Sequence, residues 1–101
     1  MFAVHNRIEV APDTAQAFEK AFAESMRTTL AGVPGLTRSL LMRPADPSQP
    51  YVSTMEFESR DHFRGWMKSD SFRAAHADAQ APGMQAPSAI EMFTVLEDFT
   101  A

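Results

Sequence analysis

Cysteine is absent from this chain of 101 residues. Disulfides, thiolate catalysis and thiolate-held metals are thereby excluded, and any metal must be held through nitrogen or oxygen. There is no cluster of lysine and arginine, and the formal net charge is -4 with a pI near 5.2. The phosphate-neutralising surface that nucleic acid requires is therefore missing. No apolar run approaches the ~18 residues needed to span a bilayer, and Met1 leads straight into Phe2-Ala-Val-His-Asn-Arg without a basic segment followed by an apolar one. The expected setting is the cytoplasm, with neither membrane nor nucleic acid as partner. A Ser-His-Asp order, a glycine-rich phosphate loop and a paired His-Glu metal motif are also lacking, so hydrolase and nucleotide readings have no support.

What is present is ordinary for a globular protein: 45% hydrophobic and 22% charged residues, in a length that holds one core and one domain over residues 1–101. Residues 2–10 alternate, with Phe2, Val4, Asn6, Ile8 and Val10 on one face and Ala3, His5, Arg7 and Glu9 on the other, which predicts a strand. Pro12 and Asp13 open a helix. Asp13 and Gln16 have capping-box spacing, Phe18, Phe22, Met26, Thr29, Leu30 and Val33 form its buried stripe, and Gly32 with Pro34-Gly35 ends it. Further strands are expected at 36–42 and 51–57, on either side of a loop marked by Pro44, Pro47 and Pro50.

Residues 60–79 place Phe63, Trp66, Met67, Phe72, Ala75, His76 and Ala79 at helical steps of three and four. The row skips between Met67 and Phe72, where Ser69-Asp70-Ser71 caps a new start better than it continues an old helix. A bend is expected there, with an opening for a flat ligand between Trp66 and His76. Residues 80–88 lack periodicity and read as a mobile surface loop, and 90–99 as the last strand. The order strand, helix, strand, strand, helix, strand predicts a ferredoxin-like βαββαβ sandwich of the α+β class. Its last strand is apolar on both sides, Ile90, Met92 and Leu96 on one and Phe93, Val95 and Phe99 on the other. Two sheets packed face to face in a homodimer would cover it.

Three side chains stand out for chemistry. Asn6 puts an amide among core-facing residues, where it either bonds to neighbouring backbone or meets a polar ligand atom. His76 shares the inner stripe with Phe72 and is flanked by Ala74, Ala75 and Ala77. It serves as a core histidine or, since those alanines admit a large planar group, as a nitrogen ligand to haem iron. Trp66, one turn after Phe63, is a core anchor or one wall of the same pocket. His5 and His62 have no partner at ligand spacing.

With Asn6-Arg7-Ile8, the tract Phe57-Glu-Ser-Arg-Asp-His-Phe-Arg-Gly-Trp66 and Lys68-Ser-Asp-Ser-Phe-Arg-Ala-Ala-His76, the chain resembles the small haem-degrading monooxygenases of the iron-regulated surface-determinant type. These belong to the antibiotic-biosynthesis-monooxygenase superfamily of dimeric ferredoxin-like domains, whose paired sheets form a dimeric α/β-barrel. The resemblance implies an Asn, Trp, His triad at Asn6, Trp66 and His76, and a haem cleft bounded by Asn6, Phe22, Phe63, Trp66, Phe72 and His76. It implies His76 as axial ligand of the haem iron, Asn6 as amide donor to the reacting oxygen, and Trp66 as the side chain that distorts the macrocycle. Haem is then cofactor and substrate together. O2 and an external electron donor, a reductase or a small reductant, complete the reaction, which opens the ring and releases iron. The run Ala77-Asp-Ala-Gln-Ala-Pro-Gly83 is less basic than the family pattern, so the propionate contacts stay unassigned, with Arg73 and Lys68 as candidates. Competing readings are a cofactor-free monooxygenase of the same superfamily acting on quinol- or anthrone-like aromatics, a haem-binding module without turnover, and a small stress-response dimer with an empty pocket.

Overall fold

Alternation along the strands sets the architecture. The computed structural model describes residues 1–77 and 89–101, the side chains of residues 75–77 excepted. Its strands are β1 (Phe2–Ile8), β2 (Leu36–Met42), β3 (Tyr51–Phe57) and β4 (Ala89–Thr94). They form one sheet in the order β2-β3-β1-β4, with antiparallel neighbours throughout. The helices are α1 (Ala15–Thr29), α2 (Arg60–Met67) and α3 (Asp70–Ala77). This is the ferredoxin-like βαββαβ sandwich.

Register aligns Phe2, Val4, Asn6 and Ile8 of β1 with Phe57, Met55, Ser53 and Tyr51 of β3. That inner face carries the core, which among the described residues divides into two clusters. Phe2, Val4, Phe57, Phe63 and Trp66 form one, with Leu30, Val33, Leu36, Met55 and Phe72 packed on it. Ile8, Phe18 and Tyr51 form the other, with Val10, Ala15, Phe22 and Leu41 against it. Phe18 and Phe57 are fully buried, and each such ring contributes about 1.5–3 kcal/mol.

Element ends depart from the sequence expectation for identifiable reasons. β1 stops at Ile8 instead of Val10, because its partner strand begins at Tyr51, opposite Ile8, after Pro50, which has no N–H to offer. The Asp13–Gln16 capping box does not form. Pro12–Thr14 is a 3₁₀ turn, and Thr14, at the N-cap of α1, donates its hydroxyl back to the Ala11 carbonyl at 2.9 Å. The bent helix is two helices. Ser69 Oγ donates to the Trp66 carbonyl at 2.5 Å and accepts from the Phe72 N–H at 3.2 Å, closing α2 and opening α3 with one hydroxyl.

The expected strand 90–99 ends at Thr94. The Val95 N–H still reaches the Met1 carbonyl at 2.9 Å, and residues 95–101 are in no strand. Leu96 and Phe99 are accordingly 94% and 88% exposed. The expected helical positions 78–79 and the loop 80–88 lie outside the described residues.

Two glycines shape the link from α1 to β2. Gly32 and Gly35 both have φ of 75°, a conformation only glycine takes freely. At Gly35 the need is double, because a Cβ there would collide with the His62 ring. The N-terminus of α2 thus rests on the start of β2. Ser59 caps that helix, its hydroxyl accepting from the His62 N–H at 3.2 Å and lying 2.7 Å from His62 Nδ1.

Candidate active site

Asn6 is the polar interruption of the inner face. It follows Val4, which belongs to the cluster of Trp66, and precedes Ile8, which belongs to the cluster of Phe22, so it lies where the core divides. Its Oδ1 is buried and has no hydrogen-bond partner. Such an orphaned group costs about 1–3 kcal/mol when nothing meets it. Across the sheet its neighbours are Ser53 on β3 and Ile90 on β4. Ser53 is buried, whereas Ile90 is 58% and Met92, on the same face of β4, 53% exposed. A buried amide oxygen without a partner thus lies beside an exposed apolar strip.

Phe63, Trp66 and Phe72 are brought together. Trp66 meets Phe63 at 6.3 Å and Phe57 at 6.1 Å between ring centroids, and Phe72 edge-on at 5.0 Å. It is only 9% exposed. Its Nε1 donates to Ser71 Oγ at 3.0 Å. At the helix bend a hollow of about 380 Å³ is walled by Trp66, Ser69, Ser71, Asp61, His62, Gly65 and residues 31–34, without Asn6; the His76 side chain, expected as the other wall of an opening here, lies outside the described residues. Phe22 belongs to the second cluster, stacked on Phe18 at 5.5 Å.

His76 falls in the last turn of α3, and its side chain lies outside the described residues. Of the two propionate candidates, Arg73 is engaged by Asp70 on the surface, and Lys68 is exposed at the C-terminus of α2. His5 stacks against Phe93 at 5.1 Å on the outer face. No group of three His, Cys, Asp or Glu suited to a metal ion occurs among the described residues. None of their helices is long and apolar enough to cross a membrane.

One constellation escaped sequence reasoning. Arg43, just past β2, forks onto Glu19 of α1 at 2.8 and 2.7 Å, and Tyr51 donates to the same carboxylate at 2.5 Å. Hydrogen bonds from Arg43 and then Tyr51 hold the Glu19 carboxyl down to about 2. Burial, followed by the hydrogen bond to Glu19, pushes the Tyr51 hydroxyl up. The three residues come from separate elements, so no local spacing signals them. They rim a second hollow of about 370 Å³, also without Asn6, and bind α1 to the edge of the sheet.

The profile of the antibiotic biosynthesis monooxygenase family matches residues 1–78, a span that takes in Asn6, Trp66 and His76. Over 77 residues, 75% of this chain and 73% of the relative, the sequence is 35% identical to the haem oxygenase (staphylobilin-producing) of Staphylococcus saprophyticus. The fold is similar to that of MhuD, a haem degrader from Mycobacterium tuberculosis solved with two haems in its active site. The TM-score is 0.81 and the identity 26%, covering 99% of this chain and 100% of that one. It is similar also to SnoaB, a cofactor-independent oxygenase from Streptomyces nogalater, with a TM-score of 0.74 and 25% identity over 99% and 97% of the two chains.

Proposed function

The chain belongs to the antibiotic biosynthesis monooxygenase family, and from that premise we propose that it is a haem-degrading oxygenase that opens the porphyrin ring with O2 and external electrons and releases iron. The observation that carries this reading is the placement of Asn6, its Oδ1 buried without a partner, beside the uncovered Ile90 and Met92. When bound, haem supplies both the iron that activates O2 and the carbon framework that is oxidised.

The chain's own residues supply position, polarity and dryness. Asn6 offers an amide on a rigid central strand: its Oδ1 would accept from a polar group of the ligand, and its Nδ2–H would be the oriented donor that stabilises charge developing on oxygen without reorganising first. His76, one turn after Phe72 on α3, would hold the iron through a neutral imidazole. Trp66, braced by Phe57, Phe63 and Phe72, would present a stiff wall to the macrocycle, with Phe22 and Phe63 extending the apolar lining. Water exclusion by these rings raises the worth of the single amide. The electron donor is a reductase or a small reductant, and a cytoplasmic setting belongs to the same proposal.

A homodimer belongs to it as well. The outer face of the sheet carries Ala3, His5, Leu40, Met42, Val52 and Phe93 by register, together with the ion pairs Arg7–Glu91 and Arg38–Glu56, while the core partners of the helices all lie on the other face. Phe93 is 45% and Met42 42% exposed, and the buried Thr54 hydroxyl on that face has no partner. A second copy would cover the exposed Phe93 and Met42, with the ion pairs at the same face.

The test is to titrate the purified protein with haem and follow the Soret band after adding ascorbate in air, with catalase present and a ferrous chelator reporting iron. Bleaching with stoichiometric iron release is expected, and His76→Ala should lose it. A Soret band that shifts on binding but survives reduction would make the chain a haem-binding module. No shift at all would favour the cofactor-free reading, which the likeness to SnoaB supports, and quinol- or anthrone-like aromatics would then be tried as substrates.

A further inference from the structure

Trp66 is the one tryptophan of the chain, and its indole is packed unevenly. Phe57, Phe63 and Phe72 crowd it on the core side, whereas the 380 Å³ hollow, walled by Gly32, Val33, Gly65 and Ser69 among others, opens beside it. Packing alone therefore leaves the ring a direction in which to relax. A hydrogen bond closes that direction. Trp66 Nε1 donates to Ser71 Oγ at 3.0 Å, and the same hydroxyl donates to the carbonyl of Thr29, the last residue of α1.

An indole N–H can only donate and a carbonyl can only accept, so the hydroxyl proton has one place to go. The Thr29 carbonyl is one of those a helix leaves open at its C-terminal end. One oxygen thus ties the end of α1, the indole on α2 and the first turn of α3.

We propose that Ser71 is a positioning residue: its hydroxyl fixes the orientation of the Trp66 indole and the stance of α3 against α1, so that a planar ligand reaching the indole meets a ring that cannot turn into the hollow. The identity of that ligand as haem rests on the function proposed above, while the clamp itself does not. Because α3 also carries His76, the same hydroxyl sets the position of the proposed iron ligand relative to the tryptophan.

Ser71→Thr and Ser71→Val make a matched pair, equal in shape and differing in the hydroxyl. In the ¹⁵N-labelled haem-free protein the single indole N–H resonance reports the clamp directly. Ser71→Thr should keep the wild-type signal. Ser71→Val should shift it and speed its exchange with solvent by roughly 2- to 10-fold, the worth of one ordinary hydrogen bond. With haem, Ser71→Val should alter the ratio of ring-opened isomers and lower kcat with haem affinity nearly unchanged, and Ser71→Thr should restore both.

Indistinguishable indole signals in the two variants would refute the clamp. A shifted signal with unchanged isomer ratio and kcat would refute its bearing on the ligand. Should the wild-type chain itself bind no haem, the haem reading fails on its own, and the indole signal of the pair still decides the clamp.

Discussion

Asn6→Val replaces an amide whose Oδ1 is buried without a partner by a β-branched apolar side chain in the middle of strand β1. Removing an orphaned polar group relieves about 1–3 kcal/mol, and valine is favoured over asparagine in strands by up to ~1 kcal/mol. Imperfect refilling of the site takes some of this back. A net gain of about 1–2 kcal/mol is expected, and each kcal/mol moves the Tm of a domain this size by roughly 4–8 °C. The assay is urea unfolding of haem-free protein at one fixed protein concentration, because the stability of a dimer depends on concentration. The m-value should stay constant while the midpoint rises. Haem turnover by the same variant should fall ~10²–10³-fold, the usual effect of losing one oriented donor, with little change in haem affinity. A variant that instead loses more than about 1 kcal/mol would show that Asn6 is a structural amide, and the argument from its unpaired atom would collapse.

The Glu19 clamp predicts an acid limb. Its folded pKa of about 2 lies below its ordinary 4.5, so its contribution is whole above pH 4.5, declines as pH falls, and is gone below about 2; acid titration of Glu19→Gln should show that limb flattened. Gly32→Ala and Gly35→Ala both force alanine to φ of 75°, a loss of roughly 1–2 kcal/mol, but only at Gly35 does the new Cβ meet His62. Urea midpoints should therefore fall further for Gly35→Ala, and equal midpoints would contradict the packing described. Phe93→Asp puts a charge in place of the largest exposed ring of the outer face and should turn a micromolar dimer into a monomer by sedimentation velocity; a wild-type chain already monomeric at high concentration would remove the homodimer proposal.

Strands β2 and β3 were legible residue for residue, since the turn signals around them, Gly35, the prolines of the 44–50 loop and the capping Ser59, are local information, although β2 alternates less cleanly than β3. So was the break at Ser69, because a small hydroxyl residue that interrupts a helical stripe competes for the backbone wherever it stands. The sequence also singled out Asn6, by parity alone, as a polar group on a core-facing row. What tertiary structure decided was partnership. Whether the Asn6 amide is satisfied depends on Ser53 and Ile90, distant along the chain and adjacent only through the sheet. The grip of Ser71 on Trp66 and Thr29 spans three helices, and that of Glu19 on Arg43 and Tyr51 joins α1 to the sheet. Local pattern fixes which way a side chain points, because backbone geometry repeats every two or 3.6 residues. It carries no term for what waits on the other side, and hydrogen bonds and the openings between elements are settled there.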